Sequence, residues 1–275
     1  LDINAVRSYS YPEEKNMQLI DLSVALDNDV EADPPMARPK INYLGHRETF
    51  DRLGQHFPDL RPENLPDGEA WAIEKVELTT HNGTHLDAPW HFHSTTNHAL
   101  VPGGEKSRTI DEIPLEWCMR PGVKLDFRDR DDGHVVSANE VEAELKRIGH
   151  HLNPFDIVVI NTRAGERYGH SDYVSAGCGM SREATLWLLE RGVRITGTDG
   201  WSWDAPFVHT AQRVAETGDT SLVWEGHKAG REREYCHLEK LHNLEQLPDS
   251  GFTMICFPVK LKQASAGWVR AVAML

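Results

Sequence analysis

Short runs of apolar residues, continuous or alternating with polar ones, recur along the chain and are separated by segments with helical spacing. Such runs are typical of strands when turn residues bound them. The predicted strands are residues 19–24, 76–79, 122–127, 155–160, 193–197, 254–259 and 269–272. Apolar residues at intervals of three and four predict helices between some of these runs. Strands that alternate with helices predict an α/β fold.

Two of the predicted helices have recognisable first and last residues. Ser137 and Glu140 have the spacing of a capping box, in which a side chain and the backbone satisfy each other's free hydrogen-bond donors. Gly149 is a suitable residue to end this helix. The second helix is predicted to begin at Ser181 and to end at Gly192.

Length and composition predict one globular domain. The chain has 275 residues, of which 39% are hydrophobic and 26% charged, so it is long enough to bury a core. No internal repeat or linker divides residues 17–275, which we expect to form this domain. Residues 1–16 are polar and are predicted to form a flexible N-terminal arm. Residues 41–68 show neither the spacing of a strand nor that of a helix. They either cover a functional site or form a surface excursion.

The charge of the chain narrows the classes of partner. A net charge of −14 argues against nucleic acid, whose phosphates require clustered Lys and Arg, and against an anionic membrane surface. No apolar run approaches the roughly 20 residues of a membrane-spanning helix, and no signal peptide is visible at the N-terminus. The four cysteines are widely spaced, which favours idle thiols in a reducing cytoplasm over disulfides or a thiolate zinc site.

The candidate chemistry is concentrated between His81 and His91. Three histidines and one aspartate lie in this stretch, and imidazole nitrogen and carboxylate oxygen are ligands that Zn²⁺ and Mn²⁺ prefer. In an extended backbone His85 and Asp87 point the same way, and a turn at Gly83 can fold His81 back beside them. Three ligands leave a position open for water in a catalytic metal site. After the turn the motif is predicted to continue as a shaped loop.

His91 is left over by this assignment. Because an imidazole titrates near neutral pH, His91 suits the role of general acid and base. Two other interpretations stay open. The chain contains 15 histidines, so the cluster is either functional or incidental, and a structural zinc site would also use four such residues, although those sites favour cysteine.

The stretch reads H-x-G-T-H-x-D-x-P-x-H over residues 81–91. It resembles the signature of the cyclase family of metal-dependent hydrolases, which includes bacterial kynurenine formamidase and isatin hydrolase. The resemblance implies that His81, His85 and Asp87 bind metal and that His91 is the catalytic acid and base. It also implies a swivelling β/β/α fold that assembles as homo-oligomers, as dimers or tetramers.

The same resemblance implies a second metal position. Glu239 begins a segment similar to the family's E-N-L pattern, followed by N-L and L-P, with Lys240 in place of the Asn. On this alignment His227 and Glu239 are the extra ligands, and Asp87 bridges the two metals.

The number of metal ions stays open at this point. A different register of the alignment nominates His237 or His242 instead. Isatin hydrolase, in addition, manages with one manganese. We therefore expect a divalent metal, Zn or Mn, with one or two ions per chain.

Aromatic and acidic residues follow the predicted strand 193–197. Asp199 and Asp204 are expected to orient histidine ligands through hydrogen bonds. Trp201 and Trp203, together with Trp90, are predicted to form an aromatic wall for a flat substrate. The alternative is that these tryptophans belong to the core or to an interface.

Together these features predict a hydrolase that opens an amide or lactam bond in a small, aromatic substrate. A metal lowers the pKa of bound water to about 7, and His91 would move the proton to the leaving nitrogen. A serine nucleophile within G-x-S-x-G is absent from the sequence. Two alternatives remain: a lactonase or dienelactone-type hydrolase that cleaves an ester, and a metal-bearing protein that binds a ligand without turnover.

Overall fold

A nine-stranded mixed sheet organises the chain in the computed structural model, which describes residues 17–275. The predicted arm, residues 1–16, lies outside the described residues. The strands are β1 (Leu19–Asp21), β2 (Lys40–Leu44), β3 (Ile73–Glu77), β4 (His85–Asp87), β5 (Thr95–Thr96), β6 (Glu105–Lys106), β7 (Met119–Asp126), β8 (Val135–Val136), β9 (Ile157–Asn161), β10 (Gly179–Met180), β11 (Ile195–Thr198), β12 (Cys236–Glu239), β13 (Ser250–Ile255), β14 (Ala266–Trp268) and β15 (Val272–Met274).

The α-helices are short and connect the strands. They are α1 (Phe50–Gly54), α2 (Pro89–Phe92), α3 (Ala138–Arg147), α4 (Arg182–Glu190), α5 (Phe207–Thr217) and α6 (Glu225–Glu232). Within the part of the chain that the structure describes, no helix is long and apolar enough to cross a membrane. The predicted mixture of strands and helices is confirmed as a mixed α/β fold.

The order of strands in the large sheet is β1-β15-β13-β7-β9-β11-β12-β4-β14. The four central strands β7, β9, β11 and β12 are parallel, and the strands on both sides of them are antiparallel. Helix α3 lies between β7 and β9 in the sequence, and α4 lies between β9 and β11, which is the connection that parallel neighbours require. The carboxyl ends of these parallel strands lead toward the candidate site.

The predicted ends of α3 and α4 are confirmed. Ser137 accepts a hydrogen bond from the Glu140 backbone, and Glu140 accepts one from Ser137 in return, which forms the capping box. Ser181 caps α4 in a similar way by accepting from the Ala184 backbone. These local signals fix where both helices begin, because they satisfy donors that the first helical turn leaves free.

Strand β9 shows how one apolar run supplies two cores. Ile157 and Val159 pack in a core with residues of β4, β12 and β15, whereas Val158 and Ile160 pack against α3 and α4. Side chains alternate across a strand, so a strand that is buried on both faces must be apolar at every position. All five residues of β9 are buried.

The sheet curls back on itself. Residues after β1, at one end of the strand order, form an antiparallel bridge with residues after β12, through Ser23 and Leu241. The backbone of His242 also donates a hydrogen bond to Leu22. Curling encloses the core that contains Leu22, Leu86 and Leu238, and it brings the N-terminal segment close to the end of β12.

Several element bounds differ from the sequence-based prediction. Residues 85–87 were predicted within a loop and instead form β4, since they pair with both β12 and β14. Residues 254–259 were predicted as a strand, but β13 covers Ser250–Ile255 and ends before Pro258, which has no backbone donor. The unassigned segment 41–68 contains most of β2, which pairs with β3 as a hairpin, and the short helix α1.

Candidate metal centre

Two antiparallel strands bring four polar side chains to one place. In the pairing of β4 with β12, His237 lies opposite Asp87 and Glu239 lies opposite His85. Residues two apart in a strand point to the same face, so all four side chains share one face of the sheet. Each of them is buried.

The carboxylate of Asp87 lies at the middle of this cluster. Its Oδ1 atom is 2.9 Å from His81 Nδ1 and 3.3 Å from His85 Nε2. Its Oδ2 atom is 3.0 Å from His237 Nε2 and 3.9 Å from His91 Nε2. One oxygen therefore faces each half of the cluster, which is the arrangement that a bridging carboxylate needs.

Glu239 spans the same two halves. One carboxylate oxygen is 3.5 Å from His85 Nε2, and the other is 3.2 Å from His237 Nε2. The backbone N–H of Trp203 donates a 3.0 Å hydrogen bond to Glu239 Oε1. This bond fixes the carboxylate at the end of β12.

Asp204 orients His227 toward the cluster. Its carboxylate pairs closely with His227 Nδ1 and accepts hydrogen bonds from the backbones of Gly226 (2.6 Å) and His227 (3.3 Å). These contacts tie the first turn of α6 to Asp204 and leave His227 Nε2 free to face the other ligands. The expected role of Asp204 in holding a histidine is thus visible in the contacts.

Asp199 does not take the role expected of it. Its carboxylate accepts hydrogen bonds from the Thr162 backbone at 2.9 and 3.0 Å and from Thr162 Oγ1 at 2.7 Å. Asp199 therefore joins the ends of β11 and β9 and contacts no histidine ligand. Burial raises the pKa of Asp199 to about 7 against these hydrogen bonds.

Two groups of side chains in the described residues offer ligand atoms that lie within 4.8 Å of one another. One group consists of Asp87, His227, His237 and Glu239. The other consists of His81, Asp87 and His91. Asp87 belongs to both groups, so they adjoin and share one carboxylate. By distance the second group includes His91, whereas His85 belongs to neither group, although its Nε2 atom lies 3.3 Å from Asp87 Oδ1.

Unsatisfied atoms inside the cluster fit a bound cation. His85 Nε2 and Asp87 Oδ1 are buried, and neither has a partner with hydrogen-bond geometry among residues 17–275, although Asp87 Oδ1 lies 3.3 Å from His85 Nε2 and 2.9 Å from His81 Nδ1. Leaving such atoms unpaired costs about 1–3 kcal/mol each, and a divalent ion would satisfy both. His85 Nδ1 is within 2.9 Å of the Gly83 carbonyl, so the ring presents Nε2 as the lone-pair atom.

The charges of the cluster also favour a cation. Burial opposes ionisation of Asp87, yet the imidazoles of His85 and His237 hold its pKa well below the ordinary value. The pKa of Glu239 is lowered to about 2 against its burial and the charge of Asp87, mainly by His237. The pKa of His237 rises to about 9 against burial, because both carboxylates contact it. Two buried carboxylates thus require either protonated histidines or metal ions.

His91 differs from the other histidines. It lies on α2 and not on β4 or β12, and its side chain is 27% exposed. Burial lowers its pKa to about 4, so the imidazole is neutral at neutral pH. Its ring centroid is 4.3 Å from that of His81 and 5.4 Å from that of His227. A neutral, partly exposed imidazole beside the ligand sets is able to accept a proton.

Comparison with known proteins identifies the family of this chain. A family model described as "Putative cyclase" matches residues 20–205. The chain belongs to the cyclase family. Kynurenine formamidase of Erythrobacter litoralis is 24% identical over 213 residues, which cover 77% of this chain and 81% of that protein. The Arabidopsis thaliana cyclase-like protein 3 is 24% identical over 188 residues, covering 61% of this chain and 64% of the plant protein.

Solved structures of cyclase relatives have the same fold. An isatin hydrolase bound to the product analogue thioisatinate superposes with a TM-score of 0.71 at 20% identity, covering 94% of this chain and 92% of that chain. Isatin hydrolase A from Labrenzia aggregata, bound to benzyl benzoate, gives 0.67 at 25% identity, with 94% of both chains covered. Both superpositions cover more of the chain than the family model, which ends at residue 205.

Most candidate residues of the cyclase motif and its predicted extension lie together. The structure brings together the six side chains predicted as ligands or as acid and base, which are His81, His85, Asp87, His91, His227 and Glu239. Their roles stay predictions. His242, nominated by an alternative register, lies outside both ligand sets, with its ring 6.0 Å from that of Tyr168.

His237 is the ligand candidate that the sequence left as an alternative. It is separated from Glu239 by one residue on β12, the spacing that puts two side chains on one face of a strand. This signal was hidden because residues 228–234 are highly charged, and the strand after them was not predicted. In the structure these charges belong largely to α6, whose outer face is exposed.

A cavity of about 240 Å³ opens onto the cluster. Trp201, Phe207 and Trp224 form its aromatic part, beside His91. Trp203, in contrast, is fully buried and donates a hydrogen bond to Thr185, so it belongs to the core. This arrangement corrects the predicted aromatic wall, which includes Trp201 but not Trp203.

Trp90 is also absent from the lining of the cavity. It lies on α2 and is 40% exposed, and its neighbour along the chain, His91, is the residue that faces the cluster. Successive residues of a helix point about 100° apart, so the two side chains cannot face the cavity together. Trp224 takes the place expected of Trp90, and no signal in the sequence distinguished it.

A buried polar network forms another part of the cavity wall. Lys240 contacts Asp33 closely and donates a 2.9 Å hydrogen bond to the His81 carbonyl. Asp33 also accepts hydrogen bonds of 2.9 Å from Asn82 Nδ2 and from Trp201 Nε1. The network joins the N-terminal segment to the metal motif and to β12. It was not foreseen, since its members are far apart in sequence.

Proposed function

We propose that this cyclase-family chain is a metal-dependent hydrolase that cleaves an amide or lactam C–N bond of a small aromatic molecule. The observation that carries the proposal is the position of Asp87, whose two carboxylate oxygens face separate ligand sets while His91 lies beside both. A purely structural metal site has no use for a neutral, partly exposed imidazole in this position.

The ligands divide between two metal positions. His81, His85 and Asp87 would hold one divalent ion, Zn or Mn. His227, His237 and Glu239 would hold a second, with Asp87 shared. A bound ion would supply a Lewis acid that lowers the pKa of a water molecule and polarises the scissile carbonyl.

His91 would carry the proton during the reaction. Burial lowers the pKa of His91 to about 4, so its imidazole is unprotonated at neutral pH and would take a proton from the attacking water. The same imidazole then returns the proton to the leaving nitrogen. The ring keeps its place through edge contacts with Phe92 and Trp224, whose centroids are 5.9 and 5.6 Å away. Proton transfer of this kind contributes about 10²- to 10⁴-fold to a rate.

The substrate class is supported by the cavity and by the relatives. A volume of about 240 Å³ with Trp201, Phe207 and Trp224 in its walls suits one aromatic ring system. A kynurenine formamidase and isatin hydrolases are among the similar proteins, and both names refer to cleavage beside an aromatic ring. As further parts of this proposal, the chain is a cytoplasmic homo-oligomer, a dimer or a tetramer, with the swivelling β/β/α fold.

The proposal is tested with a panel of substrates and metal-loaded protein. Formanilide and isatin represent the amide and the lactam, and dihydrocoumarin represents the ester alternative. We expect kcat/KM to be highest for an amide or lactam. Cleavage of dihydrocoumarin alone would instead support a lactonase, and a panel recovered unchanged would leave only a binding role.

Variants separate the chemistry from the metal site. Asp87→Ala should lose both bound metal and turnover, because it removes the shared carboxylate. His91→Ala should retain the metal and lose about 10²- to 10⁴-fold in kcat. His93→Ala is the matched control, since His93 is exposed and contacts Thr95 rather than the cluster. Full activity of the His91 variant would contradict the role proposed for it.

A further inference from the structure

A second cavity, of about 350 Å³, lies beside the candidate metal centre. Its apolar walls are Ala205, Phe207, Ala211, Val223 and Trp224. The two polar residues that also line it have partners within the protein: the Asp204 carboxylate is bonded to His227, and Thr210 Oγ1 donates to the Ala205 carbonyl. The cavity therefore offers an occupant apolar contact and few free hydrogen-bonding groups.

The two cavities share a partition. Phe207 and Trp224 line both the 350 Å³ cavity and the 240 Å³ cavity over the cluster. The Trp224 ring stacks on His227, with centroids 4.5 Å apart and planes at 18°. It also meets His91 edge-on at 5.6 Å. An apolar group in the larger cavity would thus lie one aromatic ring away from the reacting groups.

Trp224 holds this position in an uncommon backbone conformation. Its φ of 63° and ψ of 41° are left-handed, at the residue before α6. A bulky side chain rarely adopts this conformation, and residues held in it are concentrated at functional sites. In the same region Phe207 is 53% and Val223 49% exposed. Apolar side chains that remain in solvent around a cavity are typical of a binding surface.

We propose that the 350 Å³ cavity is a substrate subsite that takes an alkyl or aryl substituent of the molecule whose amide is cleaved at the metal centre. Trp224 is the partition that determines which substituents can enter. This inference rests on the proposed function, because it places the scissile bond in the smaller cavity. It adds that the substrate carries an apolar group beyond the ring that occupies that cavity.

The test uses formanilides with methyl, ethyl and butyl groups in the para position. Burying one methylene contributes about 0.8 kcal/mol, so kcat/KM should rise by about two- to fourfold per methylene until the subsite is filled. Ala211→Phe places a ring in the cavity from an exposed position on α5. We expect this variant to lose the dependence on chain length, so that unsubstituted and butyl-substituted formanilide have similar kcat/KM.

Ala215→Phe is the matched control. Ala215 is exposed on the same helix, one turn further along, and does not line the cavity. The identical substitution there should retain the dependence on chain length. Equal behaviour of the two variants, or a kcat/KM independent of chain length in the unmodified protein, would overturn the subsite.

A binding measurement separates this inference from the proposed function. Calorimetric titration of the His91→Ala protein with the same formanilides reports affinity without turnover. If affinity increases with chain length and Ala211→Phe removes the increase, the subsite stands even when no formanilide is hydrolysed. If formanilides are hydrolysed but their affinity does not change with the length of the alkyl group, the hydrolase function stands and the subsite is wrong.

Discussion

His237 lies opposite Asp87 across the β4–β12 pair, with its Nε2 atom 3.0 Å from Asp87 Oδ2. This relationship gives the second ligand set an imidazole in addition to His227. The set then consists of two nitrogens and two carboxylates, which is a full tetrahedral complement for zinc. The first set, which is proposed for the other ion and consists of His81, His85 and Asp87, keeps three ligands and an open position. On the proposed assignment the two metal positions are therefore unequal.

Metal content tests this arrangement. We expect about two equivalents of Zn or Mn per chain in protein purified without chelator. His237→Ala should reduce the content to about one, since the first set does not depend on His237. Metal analysis by plasma mass spectrometry gives the stoichiometry.

His242→Ala is the control for that measurement. His242 was the rival in the alternative register, and it lies outside both ligand sets. Its replacement should leave two equivalents bound. If His242→Ala lowers the metal content and His237→Ala does not, the assignment of the second set is wrong.

Asp204 sets the tautomer of His227, which leads to a second prediction. A carboxylate beside Nδ1 accepts a hydrogen bond from it, so Nε2 is left without a proton and can bind metal. In Asp204→Asn the amide can instead donate to Nδ1, which moves the proton to Nε2. We expect the second metal to bind about 10- to 100-fold more weakly, measured by competition with a chromogenic chelator.

Glu225→Gln provides the comparison for Asp204→Asn. Glu225 is the first residue of α6 and lies near enough to Asp204 for their charges to interact. Its replacement by Gln removes the same charge as Asp204→Asn, at a residue that contacts no ligand histidine. Its metal affinity should match that of the unmodified protein. Equal weakening in the two variants would show that net charge, and not the tautomer of His227, governs the affinity.

The sequence predicted the parts of the site that depend on neighbours along the chain. The capping box of α3, the buried strand β9 and the approach of His81 and His85 to Asp87 all follow from local spacing. His237 could not be assigned in this way, because its position depends on the pairing of β12 with β4, which are 150 residues apart at that pair.

The same limit applies to the walls of the cavity. Trp224 comes near His227 through a turn in a left-handed conformation, and Trp203 is withdrawn into the core by its bond to Thr185. The composition does not distinguish one tryptophan from another. The backbone conformation determines which tryptophan side chains face a site. Of the three tryptophans predicted for the wall, Trp201 alone lines the cavity over the cluster.

The ion pair of Asp33 with Lys240 supplies a prediction about stability. Both side chains are less than a tenth exposed, and removing one partner of a buried pair costs about 3–5 kcal/mol because the other charge is left uncompensated. Asp33→Ala should lower the free energy of unfolding in urea by about this amount. Asp33→Ala combined with Lys240→Met should cost less than the sum of the single changes.

An exposed pair serves as the reference for this cycle. Lys40 and Glu77 lie 3.6 Å apart on the β2–β3 hairpin with more than three quarters of each side chain exposed. Glu77→Ala should change stability much less than Asp33→Ala, because water screens the exposed charges. If the double variant loses as much free energy of unfolding as the two single variants together, the buried Lys240 ammonium does not depend on Asp33.

Asp199 predicts a specific dependence of stability on pH. Burial raises the pKa of Asp199 from an ordinary value of 3.8 to about 7 in the folded protein. The folded state therefore holds a proton that the unfolded state releases, and this contribution to stability is fully present below about pH 4 and is lost as the pH rises through 7. A difference of about three pH units corresponds to roughly 4 kcal/mol.

Asp199→Asn separates this effect from other titrations. Asparagine keeps an oxygen that can accept from Thr162 but cannot ionise, so its stability should lack the loss between pH 4 and pH 7. We measure the free energy of unfolding in urea at a series of pH values. Relative to the unmodified protein, the variant should become more stable as the pH rises, with the largest difference above pH 7. If the unmodified protein instead becomes more stable relative to the variant over this range, the hydrogen bonds from Thr162 keep Asp199 ionised. Burial is then the weaker influence on the pKa of Asp199.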